Sequence, residues 1–250
     1  MGGLMSITGS PDGPPTKVGV AVTDLLTGMY ASTAILAALH ERTHSQFGQY
    51  IDVSLFEVQI ATLANQAYNY LMSGEIPMRH GSAHPNIVPY QPFEASNGHI
   101  VIAVGNDAQF KRLAEVIECP ALSENSDYQT NSARVRNRDA VIGIIADKIK
   151  EGTVDEWVAK FDSAQIPAGP INTLDAVFND DHVRQSQLME SVTSKWGDMA
   201  TLNSPMHFSR TDTTARKLAP ELGSNTDEIL HEWLGRSAEE IELLRRDGII

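Results

Sequence analysis

Residues 18–40 read VGVAVTDLLTGMYASTAILAALH, a run in which nearly every position is apolar or small. From Leu25 to Leu39 there is neither a charge nor a proline. A helix that is apolar on every face is buried on every side, so a fully enclosed helix is expected here. Gly28, Ala31, Ser32 and Ala34 would let other backbones approach it closely. Thr23 or Asp24 suits its N-cap, because a side-chain oxygen there can accept from a free first-turn amide.

The remaining pattern assigns most of the chain. Residues 3–17 are rich in Gly and Pro and predict an irregular loop. QYIDVSL (49–55) alternates and is β-branched, predicting a strand; an Ala- and Leu-rich helix follows over 57–72. A lone strand followed by a helix asks for partners in a parallel sheet. Four prolines in 73–98 exclude continuous helix and leave a long loop, of the kind that is usually functional or disordered. HIVIAV (99–104) predicts a strand, and 108–117 a helix capped by Asp107. Residues 131–149 form an amphipathic helix with Arg134, Arg136 and Arg138 on a solvated face, and 154–164 another helix. IPAGPI (166–171) can only be an edge segment or a crossing. Short helices are expected at 174–178 and 181–187, and paired strands over 189–205 with a turn near Gly197-Asp198. An extended linker is expected at 216–223. A helix at 226–234 is capped by Asn225, and a last one at 238–246 is started by a Ser237/Glu240 capping box. The fold class is α/β. Residues 1–60 and 200–250 are expected to form one discontinuous large domain around an inserted small α+β domain, 65–190.

Composition narrows the function. A net charge of −13 over 250 residues disfavours binding to nucleic acid or to an anionic membrane, though not a small anion in a local basic pocket. The single cysteine, Cys119, rules out an intrachain disulfide, suits a reducing compartment, and is expected as a small buried hydrophobe. No run approaches about 18 uninterrupted apolar residues, so no membrane span is expected. The N-terminus lacks a basic region and a cleavage pattern, and reads as an internal segment rather than a signal peptide.

Two places could carry chemistry. Asp24 is either a helix cap or a carboxylate nucleophile. Burial would raise its pKa, the helix start would hold it charged, and a desolvated carboxylate attacks acyl carbons. The loop 73–98 gathers donors and acceptors: His80, His84, Asn86, Tyr90 and Gln91. No carboxylate or thiolate stands at ligand spacing beside the histidines, so no metal site is expected. The glycines at 3–17 lack the GK[ST] of a phosphate loop, and the turn at Gly105 has one glycine where a dinucleotide fingerprint needs three.

Eight segments, in order along almost the whole chain, resemble class III coenzyme-A transferases, the CaiB/BaiF family. They are GGLMSITG (2–9), GVAVTDLLTGMYA (19–31), GQYIDVSL (48–55), GSAHPNIVPYQPF (81–93), AVGNDAQF (103–110), NSARVRNRD (131–139), IPAGPINTLDAVF (166–178) and LGSNTDEILHEWLG (222–235). The resemblance implies that Asp24 is the nucleophile, working through a mixed anhydride and then an aspartyl-CoA thioester. It implies an interlocked homodimer, and a Rossmann-like N-terminal half that this chain lacks. The loop matching the family's glycine-rich lid is HPNIVPYQ, which is not glycine-rich; it resembles the branch acting on dicarboxylates such as succinate, glutarate or malate. His84, Asn86, Ile87, Val88 and Tyr90 are its implied substrate-binding residues. Coenzyme A and acyl-CoA enter as substrates, with no permanently bound cofactor and no metal, in an intracellular, soluble, cytoplasmic enzyme (mitochondrial in a eukaryote). Two alternatives stay open: an acyl-CoA racemase or epimerase using Asp24 and His84 as proton-transfer groups, and a truncated, inactive member.

Overall fold

The computed structural model describes residues 1–213 and 218–250. They divide into two compact units, Met1–Ile171 and Asn172–Ile250.

The first unit carries α1 (Leu4–Ile7), α2 (Val22–Ser45), α3 (Leu55–Ala61), α4 (Ala64–Ser73), β1 (Tyr90–Ala95), β2 (Gly98–Ala103), α5 (Asp107–Val116), α6 (Ala121–Glu124), α7 (Asn131–Arg136), α8 (Arg138–Ile149), α9 (Val154–Ser163) and β3 (Ala168–Pro170). Its sheet is antiparallel in the order β1-β2-β3. Period-two alternation puts Phe93 and Ala95 of β1 and Ile100 and Ile102 of β2 inside, with Phe93 opposite Ile100. Against them pack Phe110 and Leu113 of α5, Val141, Ile145 and Ile149 of α8, and Trp157 and Phe161 of α9. The α8 residues recur every four positions, the spacing that aligns one helix face. Each such side chain, fully buried, contributes about 1.5–3 kcal/mol. Arg112 Nε donates to the Ala164 carbonyl at 2.8 Å, tying α5 to the end of α9. Thr153 and Glu156 form a capping box that starts α9. Cys119 is half-buried against this core.

The second unit carries α10 (Leu174–Asn179), α11 (Asp181–Gln185), the antiparallel hairpin β4 (Met189–Ser194) and β5 (Gly197–Leu202), α12 (Thr226–Glu232) and α13 (Ala238–Arg246). The expected Ser237/Glu240 capping box is present. Asn225 stands at the N-cap of α12, but its side chain does not cap. The hairpin turns at Lys195-Trp196, two residues earlier than expected, because Ser194 pairs with Gly197 and its Oγ accepts from the Trp196 amide at 3.1 Å. Of the expected linker, Arg216 and Lys217 lie outside the described residues.

Several expectations are corrected. Residues 49–54 form no strand: among the described residues they have no ladder partner, and an extended segment without one does not make a sheet. Ser54 instead caps α3, accepting from the Glu57 amide at 3.2 Å. The single helix expected at 57–72 is two, α3 and α4, broken at Thr62 and Leu63, with Ala64 at φ 48. The long loop ends early, because β1 occupies Tyr90–Ala95; Pro92 is tolerated there since β1 is an edge strand. A short helix, α1, stands in the expected irregular opening loop. The helix at 131–149 divides at Asn137.

The largest correction concerns α2. It runs from Val22 to Ser45 and buries none of its residues. Leu25, Met29, Ile35 and Leu36 are all more than half exposed. An apolar circumference calls for burial, but among the described residues only one side of α2 is partly covered, where α3 meets it, and the rest stays exposed. By length and composition α2 is also apolar enough to cross a membrane, a property it shares with core helices of soluble proteins and one that does not by itself make it a span.

Candidate active site

Asp24 is the third residue of α2, whose N-cap is Ala21. Neither Thr23 nor Asp24 caps the helix, and no other side chain does, so its first-turn amides have no side-chain acceptor. A carboxylate there faces the positive end of the helix dipole. Thr23 is committed elsewhere: its hydroxyl donates to Gln59 Oε1 of α3, and Gln59 Nε2 donates to Thr62 Oγ1 at 3.2 Å. Gly2 stands so close to Gln59 that a Cβ would clash with it. These contacts set α1, α2 and α3 around a cleft of about 550 Å³, lined by Asp24 with Gly3, Met5, Lys17, Val20 and Gln59 among others. Asp24 itself is exposed, so the nearly waterless setting expected for it is not built by this chain. The reason is the bareness of α2.

The loop residues stand elsewhere in the same unit. The His84 ring stacks on Tyr90 with centroids 5.5 Å apart, and its Nδ1 accepts from the Asn86 amide at 3.1 Å. That bond leaves the ring proton on Nε2. The Asn86 carboxamide accepts from Asn69 Nδ2 at 3.0 Å and is reached by Asn65 at 3.4 Å. Ile87 is half-buried and Tyr90 exposed, whereas Val88 is wholly buried in the core. A second cleft, of about 540 Å³, is lined by Gln66, Asn69, Glu75, His80, Pro85 and Asn86 among others. Burial, and then the nearby Arg138 charge, hold both His80 and His84 below the usual histidine range. Asp24 lines the first cleft, and His84 lines neither the first nor the second.

The loop is held from behind by residues not singled out for it from the sequence. Arg138 Nη2 donates to the carbonyls of His84 at 2.9 Å and Pro85 at 2.7 Å. Asn131 Nδ2 donates to the Asn86 carbonyl at 2.8 Å, and its Oδ1 accepts from the Val88 amide at 3.1 Å. Arg134, with no exposed surface, donates from Nε to the Val88 carbonyl at 2.7 Å and stacks over Phe110. The expected solvated arginine face therefore holds only for Arg136, which is exposed. Helical periodicity carried the signal: residues 134 and 138 share a face, while 136 points away from both. Further back, Arg79 donates to the carbonyls of Ser10 at 3.1 Å and Gly13 at 2.7 Å, pinning this loop to the opening turn. Among the described residues no three His, Cys, Asp or Glu stand close enough to hold a metal ion.

A family model described as CoA-transferase family III matches residues 1–226. The chain is 40% identical over 233 residues to a succinate–glutarate CoA-transferase of Agrobacterium fabrum, covering 93% of this chain and 58% of that protein. It is 38% identical over 251 residues to a succinyl-CoA:glutarate CoA-transferase of Mus musculus, covering 100% of this chain and 58% of the relative. The crystal structure of a CaiB/BaiF family protein from Brucella suis superimposes with a TM-score of 0.74 at 39% identity, covering 92% of this chain and 60% of that one. The chain thus spans about 58% of the length of these curated relatives.

Proposed function

Because the chain belongs to CoA-transferase family III, we propose that it carries the nucleophile and the carboxylate-binding loop of an enzyme that moves coenzyme A from an acyl-CoA to a carboxylic acid. Asp24 is the nucleophile. One of its carboxylate oxygens attacks the thioester carbonyl; the C–S bond breaks and coenzyme A leaves as a thiolate, giving a mixed anhydride. The thiolate then attacks the aspartyl carbonyl, the donor carboxylate leaves, and an aspartyl-CoA thioester remains. The acceptor carboxylate attacks that thioester, the C–S bond breaks and a second mixed anhydride forms; the coenzyme A thiolate then attacks the acceptor's acyl carbonyl, and Asp24 leaves as a free carboxylate. No redox change occurs and no permanently bound cofactor is used.

The observation that carries this reading is the position of Asp24: a first-turn carboxylate, free of any capping duty, on the wall of a cleft. The names of the relatives favour succinyl-CoA as donor and a dicarboxylate such as glutarate as acceptor. His84, Asn86 and Tyr90 supply neutral donors for the acceptor carboxylate, Ile87 borders them, and Val88 anchors the segment. The working site is completed by further protein over α2, as in a homodimer or a longer polypeptide, which removes water from Asp24 and strengthens its charge interactions. Residues 1–60 and 200–250 belong to one large domain in that assembly, an intracellular one.

Mixing the chain with succinyl-CoA and glutarate tests the reading. The isolated 250-residue chain should turn over slower than about one per second, below the usual enzyme range. Asp24→Asn should remove what turnover there is. Activity unchanged in that variant would exclude Asp24 as nucleophile.

A further inference from the structure

The segment from His84 to Val88 is gripped along its backbone by a single helical face. Asn131, Arg134 and Arg138 stand at i, i+3 and i+7 across α7 and α8, and the Asn137 amide donating to the Ala133 carbonyl and the Val141 amide to the Asn137 carbonyl keep that face continuous through the break. Together they engage the carbonyls of His84, Pro85, Asn86 and Val88 and the amide of Val88. The three grips are not equivalent. Arg134 serves a residue that is itself core, and Asn131 holds the two sides of Ile87. Arg138 holds the carbonyls of His84 and Pro85, the side that leads into Asn86, while the His84 amide donates to the Tyr90 carbonyl at 2.9 Å. Its Nη1 is buried without a hydrogen-bond partner, so the guanidinium sits where it does at the expense of an unpaired NH₂ group. A residue kept only for solubility would leave that group in water.

We propose that Arg138 is a positioning residue for carboxylate recognition: by bridging the carbonyls of His84 and Pro85 it fixes the His84 imidazole on Tyr90 and aims the Asn86 carboxamide, and so sets the affinity of the loop for a dicarboxylate without touching it. This rests on the reading of the 84–90 loop as the carboxylate-binding segment. A neutral, preorganised donor pair discriminates by geometry, and preorganisation lowers the ordering entropy that a mobile loop would lose on binding. Lysine cannot replace the fork, because a single ammonium does not reproduce two fixed N–H directions from one planar group.

The test is a titration of the full chain with glutarate, followed by NMR at the His84 ring. In the parent chain glutarate should shift the His84 signals. Arg138→Gln should weaken that response about tenfold or more, the factor expected for loss of a charge-assisted hydrogen bond. Arg138→Lys should fall between the two, and added guanidinium ion should restore part of the affinity of Arg138→Gln, which no purely structural defect would show. If Arg138→Gln fails to fold, Arg138→Lys carries the test, with faster amide exchange at 84–88 than at β2. No response at His84 in the parent chain, or equal affinities in the parent and in both Arg138 variants, would overturn the proposal. Failure of the Asp24 reading is seen separately: loss of any covalent adduct on Asp24 while His84 still responds to glutarate removes the nucleophile and leaves the role of Arg138 intact.

Discussion

Arg134 Nη2 donates to Asp107 Oδ1 at 2.8 Å, joining a guanidinium with no exposed surface to a carboxylate that is 53% exposed. The asymmetry decides which partner matters. The Asp107 side is screened by water, whereas Arg134 also satisfies the carbonyls of Val88, Tyr128 and Gln129. Arg134→Met should therefore lower stability by about 3 kcal/mol or more, because it leaves the carbonyls of Val88, Tyr128 and Gln129 without their donor. Asp107→Asn should lower it by about 1 kcal/mol. Urea unfolding of the two variants measures the difference, and equal losses would contradict it.

How far the sequence reveals this arrangement depends on where the information lies. Local chemistry is legible: the Ser237/Glu240 box and the β2 strand follow from short patterns whose partners are neighbours in the chain. The grip on 84–88 is not, because Arg134 and Val88 are 46 positions apart and an arginine on an amphipathic helix reads as solvated. The missed β1 strand failed for a related reason, since Pro92 argues against a strand until its edge position is known. Residues 49–54 and α2 failed in the opposite sense. Their patterns describe pairing and burial, and among the described residues the first finds no ladder partner and the second little cover. Asp24 was picked out by composition and by resemblance, but its exposure could not have been read from the run around it.

Acid should weaken the first unit through His80 and His84. Burial, followed by the Arg138 charge, holds both rings below the ordinary histidine value of about 6.5 in the folded state. Below pH 6.5 the unfolded chain then binds more protons than the folded one, so stability is full above that pH and declines as pH falls toward the depressed folded values. The urea midpoint should drop between pH 7.5 and 5.5, and a His80→Asn/His84→Asn double variant should flatten that slope. An unchanged slope would assign acid sensitivity to other groups.

The bare α2 helix should make the chain self-associate. Leu25 is 61% and Leu36 66% exposed, and contiguous apolar surface of this kind marks an interaction site. Leu25→Glu/Leu36→Glu should shift light scattering toward the monomer without lowering the melting temperature, since neither side chain is buried. A parent chain that is monomeric at high concentration would contradict this.

Thr153 caps α9 through a reciprocal pair, its Oγ1 accepting from the Glu156 amide at 3.3 Å while Glu156 Oε2 accepts from the Thr153 amide at 2.8 Å. Thr153→Ala should lower stability by about 1 kcal/mol. Thr153→Ser should retain most of it, and thermal melts of the two separate cap loss from general disturbance.

The central claim is that Asp24 becomes acylated, and intact-protein mass spectrometry tests it most directly. After incubation with succinyl-CoA and quenching with hydroxylamine, the account predicts a hydroxamate on Asp24 in the parent chain, mapped by peptide sequencing, and none in Asp24→Asn. A hydroxamate that maps to another residue, or that persists in Asp24→Asn, would contradict it.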